Sequence, residues 1–86
     1  MTNPLPKPEQ GHTYKWGELI PVNETNIHAV AYVPDKKLLT VVFRDGAQYR
    51  YDRVPLTEFA GLIQAPSKGK YFQTRIRNVY QWEKLN

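Results

Sequence analysis

Apolar and polar positions alternate through the middle of this 86-residue chain, and the period changes near residue 54. Ile27 to Val33 and Leu38 to Phe43 are apolar, β-branched runs joined by Pro34-Asp35-Lys36-Lys37, which predicts two strands and a reversing loop. Asp45-Gly46 leads into a third run, Ala47 to Tyr51. Two registers compete at that turn. A two-residue Asp-Gly loop sets Phe43 and Val41 opposite Gln48 and Arg50. A three-residue loop, Arg44-Asp45-Gly46 with Gly46 left-handed, pairs 43 with 47, 41 with 49 and 39 with 51. The second register gathers Leu39, Val41, Phe43, Ala47, Tyr49 and Tyr51 on one face. A slip of one residue turns every side chain over, so the uniform face selects this register. The preceding loop pairs 32 with 39 and 30 with 41, adding Tyr32 and Val30 to that face. Ala29, Ala31, Thr40, Val42, Gln48 and Arg50 fall on the other.

Three strands with one aromatic-rich face need a cover. Val54-Pro55 opens the first candidate helix, with Pro at its first helical position and Glu58 in its first turn. Phe59, Leu62 and Ile63 recur at helical spacing, and Ala65-Pro66 stops the helix because the residue before Pro is pushed out of the α region. Ser67 has N-cap chemistry for a second helix over about 68–78. On that helix Gly69, Phe72, Ile76 and Val79 share an apolar arc. Lys70, Gln73, Thr74 and Arg77 lie opposite, with Lys68, Tyr71 and Arg75 on a flank. Tyr80-Gln81-Trp82 is a last strand or a packed arm. Upstream, Pro4, Pro6 and Pro8 predict an extended, poorly ordered tail over 1–12, ahead of one domain over 13–86. Tyr14 to Val22 reads as an arm closing a sheet edge, because Pro21 cannot donate to a central ladder. Asn23-Glu24-Thr25-Asn26 is a turn cluster. The expected fold is therefore α+β: a three-stranded antiparallel meander packed against two short helices, with an N-terminal extended arm.

Charge changes this picture in one place. The formal net charge is +4. Residues 1–43 cancel, with four lysines against four acids, so the whole excess lies in residues 44–86. Between Phe59 and Trp82 there is no acid, while Lys68, Lys70, Arg75 and Arg77 are interleaved with Tyr71, Phe72 and Tyr80. Cations and aromatics in one segment are the composition of a nucleic-acid or phosphate surface, and also of an ordinary solvated helix face. Two lysines in the first turn of a helix oppose its dipole, a conflict that a bound phosphate or carboxylate relieves. Gly69 costs about 1 kcal/mol relative to Ala inside a helix. It either admits a close approach by a ligand or backbone, or lets the helix pack tightly on the sheet.

Catalytic chemistry is poorly supplied. There is no Cys, which removes disulfides, thiolate nucleophiles and Cys-ligated zinc. His12 lies in the tail, and His28 shares the parity of Val30 and Tyr32, so it reads as a core-margin or cross-strand residue. No nucleophile–base–orienter set and no metal-ligand spacing is present. No apolar run reaches membrane-span length, and Met-Thr-Asn-Pro opens no signal peptide. The expectation is a non-enzymatic cytoplasmic protein without cofactor, metal or membrane contact.

The residues also assemble into a known pattern. Asn26-Ile27, Val30-Ala31-Tyr32, Leu39-x-Val41-x-Phe43, Gly46, Tyr49-x-Tyr51, Val54-Pro55, Ala65-Pro66-Ser67-Lys68-Gly69-Lys70-Tyr71-Phe72 and Ile76-Arg77-x-x-Tyr80 resemble the KTSC domain over roughly residues 23–81. That family is named for its occurrence at the C-terminus of some lysyl-tRNA synthetases, and it includes free-standing bacterial and phage proteins. Gln73 stands where members often carry Asn. The resemblance implies a compact α+β module, an RNA- or nucleic-acid-binding role, and that Ser67, Gly69, Tyr71, Phe72 and Arg77 belong together. On the first reading, Lys68, Lys70, Arg75 and Arg77 contact phosphates while Tyr71 or Tyr80 stacks on a base of RNA or DNA. A second reading is a protein-interaction or host-modulating protein of phage or bacterial origin, using a strand edge and the aromatics near Trp16 and Trp82. A third is a small-nucleotide binder at the Ser67–Lys70 helix start.

Overall fold

The computed structural model describes residues 13–14, 17–22, 24 and 26–86. The tail over 1–12, with His12, and Trp16 lie outside the described residues. The chain order is β1 (Thr13–Tyr14), β2 (Gly17–Glu18), β3 (Ile20–Pro21), β4 (Ile27–Val33), β5 (Leu38–Phe43), β6 (Gln48–Tyr51), α1 (Leu56–Gln64), α2 (Lys68–Arg75) and β7 (Trp82–Lys84). β1 and β2 form a small hairpin, and β3-β4-β5-β6-β7 form one antiparallel sheet in that order.

The central meander has the expected register. Leu39 pairs with Tyr51, Val41 with Tyr49, Val30 with Val41 and Tyr32 with Leu39. Gly46 has φ +94° in the Arg44-Asp45-Gly46 loop, a left-handed position that glycine accepts without steric cost. Phe43 N–H donates to Ala47 O at 2.9 Å across it.

The sheet is wider than three strands at both ends. β3 adds one edge strand, with Pro21 at the outside where its missing N–H is harmless. β7 adds the other, pairing Tyr51 with Trp82 and Tyr49 with Lys84. The Tyr80-Gln81-Trp82 segment thus resolves into a strand that begins at Trp82. A β-bulge between Ile27 and Ala29 also revises the parity of β4, since Ile27 opposes Phe43 while Ala29 opposes Val42. The extra residue puts Ile27 in the main core beside Val30 and Tyr32, and leaves His28 half-buried off that face.

The aromatic face packs under the two helices. Val30, Tyr32, Leu39, Val41 and Tyr51 meet Val54, Leu62, Phe72 and Ile76 in one buried cluster. Tyr32 stacks on Phe59 with centroids 4.5 Å apart, and its hydroxyl donates to Val54 O at 2.6 Å. On the other face Ala29, Ala31 and Val42 pack with Leu19 of the arm. Pro55 is the N-cap of α1 and not its first helical residue, so the helix begins one residue later than expected, and Ala65 ends it. α2 stops at Arg75, three residues short of the expected end, and Ile76 to Val79 form a turn. Phe72 and Ile76 are buried as the apolar arc requires, but Val79, beyond the helix, is exposed.

Candidate nucleic-acid interface

Three stripes run along α2 and the turn after it, because residues three or four apart share a side. Phe72 and Ile76 face the core. Lys70, Gln73 and Arg77 form a second stripe, and Tyr71 and Arg75 a third, about 100° round the axis.

The helix start is already occupied. Ser67 Oγ accepts from Lys70 N–H at 3.3 Å, as an N-cap does. Glu24 then brings its carboxylate across from the segment before β4. Its Oε2 accepts from Lys68 N–H at 2.7 Å, and its Oε1 accepts from Gly69 N–H at 2.7 Å. These two bonds, with the nearby Lys68 charge, hold the Glu24 carboxyl below its usual pKa. A Cβ on residue 69 would lie 3.2 Å from Glu24 Oε1, so the glycine admits this carboxylate rather than a ligand or a neighbouring backbone. The chain supplies the anion that two first-turn lysines call for. The small-nucleotide reading at this helix start is therefore corrected, because the amides it needs are taken. Lys68 Nζ folds back onto Ala65 O at 3.1 Å.

The third stripe forms a lock against α1. Glu58, with 11% of its side chain exposed, accepts from the hydroxyls of Tyr71 and Tyr80, the latter at 3.1 Å. Arg75 lies 3.6 Å from the same carboxylate and 5.6 Å from the centre of the Tyr71 ring. The hydrogen bond to Glu58 raises the Tyr71 pKa; burial first, then the same carboxylate, raises that of Tyr80. Gly61 makes the approach possible, since a Cβ there would collide with the Tyr71 hydroxyl and sit 2.9 Å from its Cζ. Neither Glu58's role nor Gly61's was expected from the sequence.

The second stripe borders an open groove of about 680 Å³ between α2 and the sheet. Its floor is aromatic. Phe43 meets Phe72 edge-on at 5.6 Å, Tyr51 meets Phe72 at 5.4 Å, and Tyr49 meets Trp82 at 5.3 Å. Arg77 and Asn78 rim one side, Arg44 and Asn26 the other. The groove continues past Phe43 and Gln73 to Ser67 and Lys70, and past Arg77 to Tyr80.

Of the eight expected site residues, Ser67, Gly69, Lys70 and Arg77 border this groove, and Tyr80 borders it while its hydroxyl joins the lock. Tyr71 and Arg75 belong to the lock, and Lys68 turns back onto Ala65 O away from the groove. Phe43, Arg44, Tyr49, Asn78 and Trp82 join it without having been assigned there. The signal for Phe43 and Tyr49 was their shared sheet face; nothing local marked Arg44 or Asn78. Among the described residues no group of three His, Cys, Asp or Glu side chains could hold a metal ion, and no helix is long and apolar enough to cross a membrane.

Residues 23–80 match the family model of the KTSC domain. A lysine–tRNA ligase from a Nostoc species is 42% identical over 60 residues, which cover 70% of this chain and 11% of the ligase. This chain therefore spans about a tenth of the ligases it matches. An uncharacterised protein from Stutzerimonas stutzeri is 32% identical over 53 residues, 75% of its own length. The crystal structure of a KTSC domain protein from Yersinia pestis is similar at a TM-score of 0.75 and 30% identity, covering 79% of this chain and 96% of that one. The chain belongs to the KTSC domain family.

Proposed function

We propose that this KTSC domain is a non-catalytic, nucleic-acid-binding module whose ligand is RNA, held in the groove between α2 and the sheet. One observation carries the reading: three cations without an ion pair are gathered along one groove with an aromatic floor. Arg50 bonds Asp52 and Glu83, and Arg75 meets Glu58. Arg44, Lys70 and Arg77, along the groove, make no salt bridge among the described residues. Arg44 Nε donates to the Glu24 carbonyl, and Arg77 donates to the amide oxygen of Gln73. Both partners are neutral, so these charges remain to be balanced by phosphate. The acids beside the groove and its continuations are turned to internal work: Glu24 caps α2, Asp45 Oδ1 accepts from Ala47 N–H at 2.9 Å, and Asp52 and Glu83 pair with Arg50. The ligase relatives carry tRNA in their name, which supports RNA as the polymer.

Salt-dependent binding to a mixed RNA and DNA pool tests this reading. Three phosphate contacts give log K against log salt a slope of roughly −2 on single strands. Lys70→Glu combined with Arg77→Glu abolishes retention at low salt, while Lys36→Glu, on the distant β4–β5 loop, leaves it unchanged. Absence of retention by the wild-type chain at low salt, or retention that ignores the double reversal, rejects the function.

A further inference from the structure

We infer that the groove takes unpaired nucleotides laid along α2, with one base stacked on Trp82, and that it rejects duplex. The inference rests on the nucleic-acid reading and specifies the form of the ligand.

Trp82 is the starting point. It is 56% exposed, although a ring of this size is highly buried on average. Its position is nevertheless fixed, because β7 is hydrogen-bonded to β6 and Tyr49 packs against the indole at 5.3 Å with planes inclined by 63°. An anchored, outward-facing indole is a stacking platform. Arg77 and Asn78 stand beside it, and these three residues border both the 680 Å³ cavity and its 720 Å³ continuation toward Tyr80. A strand passing from one cavity to the other must therefore cross Trp82. Arg77 then supplies the phosphate contact at the crossing.

The shape favours single strands for a simple reason. The aromatic floor lies between α2 on one side and the Arg44–Asp45 turn on the other. A duplex presents a convex phosphate surface and keeps its base faces stacked inside, so it can reach the rim cations but not the ring. An unpaired base exposes both a face for Trp82 and an edge for the amides of Asn78 and Gln73. Asn26 and Gln73 border the groove where it runs on into the 650 Å³ segment ending at Lys70, which extends the same chemistry for a neighbouring nucleotide.

Fluorescence anisotropy with a short labelled oligouridylate, the matching oligodeoxythymidylate and a duplex of equal length tests the inference. Single strands bind at least about tenfold tighter than the duplex. Trp82→Ala weakens single-strand binding by roughly 5- to 150-fold, the range that loss of one stacked base produces. Trp82→Phe, which keeps a ring and preserves β7, restores most of it, and circular dichroism confirms that both variants fold. If duplex binds as well as single strand and Trp82→Ala changes affinity less than twofold, while Arg77→Glu still abolishes it, the stacking inference fails and the nucleic-acid reading stands. If neither form binds the wild-type chain at low salt, both fall. The ribose and deoxyribose arms report which polymer the groove prefers.

Discussion

The two polar sides of α2 carry similar residue types and do different things. One side holds Tyr71 and Arg75, the other Lys70 and Arg77, and each has aromatics within reach. On the first side a single acid, Glu58, takes two hydroxyls and one guanidinium and ties α2 and the following turn to α1. On the second no carboxylate among the described residues forms a salt bridge with the cations, and the aromatics form an open floor. A basic and aromatic composition therefore does not itself mark a binding surface. What distinguishes the two sides is whether the opposing element brings an acid. Glu58 on α1 does so, whereas the sheet face under the groove offers Phe43, Tyr49 and Tyr51.

Removing that acid gives the largest expected effect. Glu58→Ala strands two partly buried hydroxyls, each costing about 1–3 kcal/mol when left without a partner, and frees Arg75. A total loss of about 3 kcal/mol lowers the melting temperature by roughly 15 °C in a domain of this size. At a temperature where the variant remains folded, its affinity for single-stranded RNA is unchanged. Thermal melts and anisotropy on the same samples check this. A variant that melts normally but loses binding would reverse the roles of the two sides.

Alkaline pH loads the core between them. Burial, with the neighbouring Tyr49 adding to it, pushes the Tyr51 pKa up to about 12 from 10.0, and Tyr51 is only 3% exposed. A phenol with a raised folded-state pKa adds stability that is complete below pH 10 and is lost as pH rises toward 12. Two pKa steps correspond to about 2–3 kcal/mol at most. Urea melts at increasing pH should show this decline beginning near pH 10. Tyr51→Phe, which cannot ionise, should make it shallower. An unaltered slope would mean that Tyr51 ionises only after unfolding begins elsewhere.

How much of this was legible follows from the range of each interaction. The register Leu39–Tyr51, the left-handed Gly46 and the Ser67 cap are local chemistry, and the sequence carries them within a few residues. The division of α2 into stripes is likewise a property of helical spacing. The lock and the Glu24 cap are not local. Glu24 reaches Gly69 across 45 positions and Tyr80 reaches Glu58 across 22, so both pairings exist only once the sheet has placed the helices. The β4 bulge was invisible for a related reason. Ile27 and His28 fit the alternation equally well until Phe43 and Phe72 make the core side decisive. One clue to Glu24 was present: a helix start with two lysines and no acid of its own requires an anion from somewhere. The composition could not say whether that anion came from the same chain.

Glu24 is also where the two roles of α2 meet, and it gives the smallest and most discriminating effect. Its carboxylate stabilises the helix start while placing a negative charge beside the Lys70 end of the groove. Because its pKa is lowered by the Gly69 and Lys68 amides, its contribution is present above the ordinary value of 4.5 and is lost as pH falls through the lowered one. Glu24→Gln keeps an oxygen for the amides but removes the charge. The acid limb of the stability profile should flatten below pH 4.5, with a small loss of stability at neutral pH. Affinity for single-stranded RNA should rise by about two- to fivefold, the scale of one partly screened charge. Opposite signs for stability and binding from one substitution would identify this carboxylate as serving the fold at the groove's expense. A parallel loss of both would instead mean that the Lys70 end of the groove is shaped by the capped helix start itself.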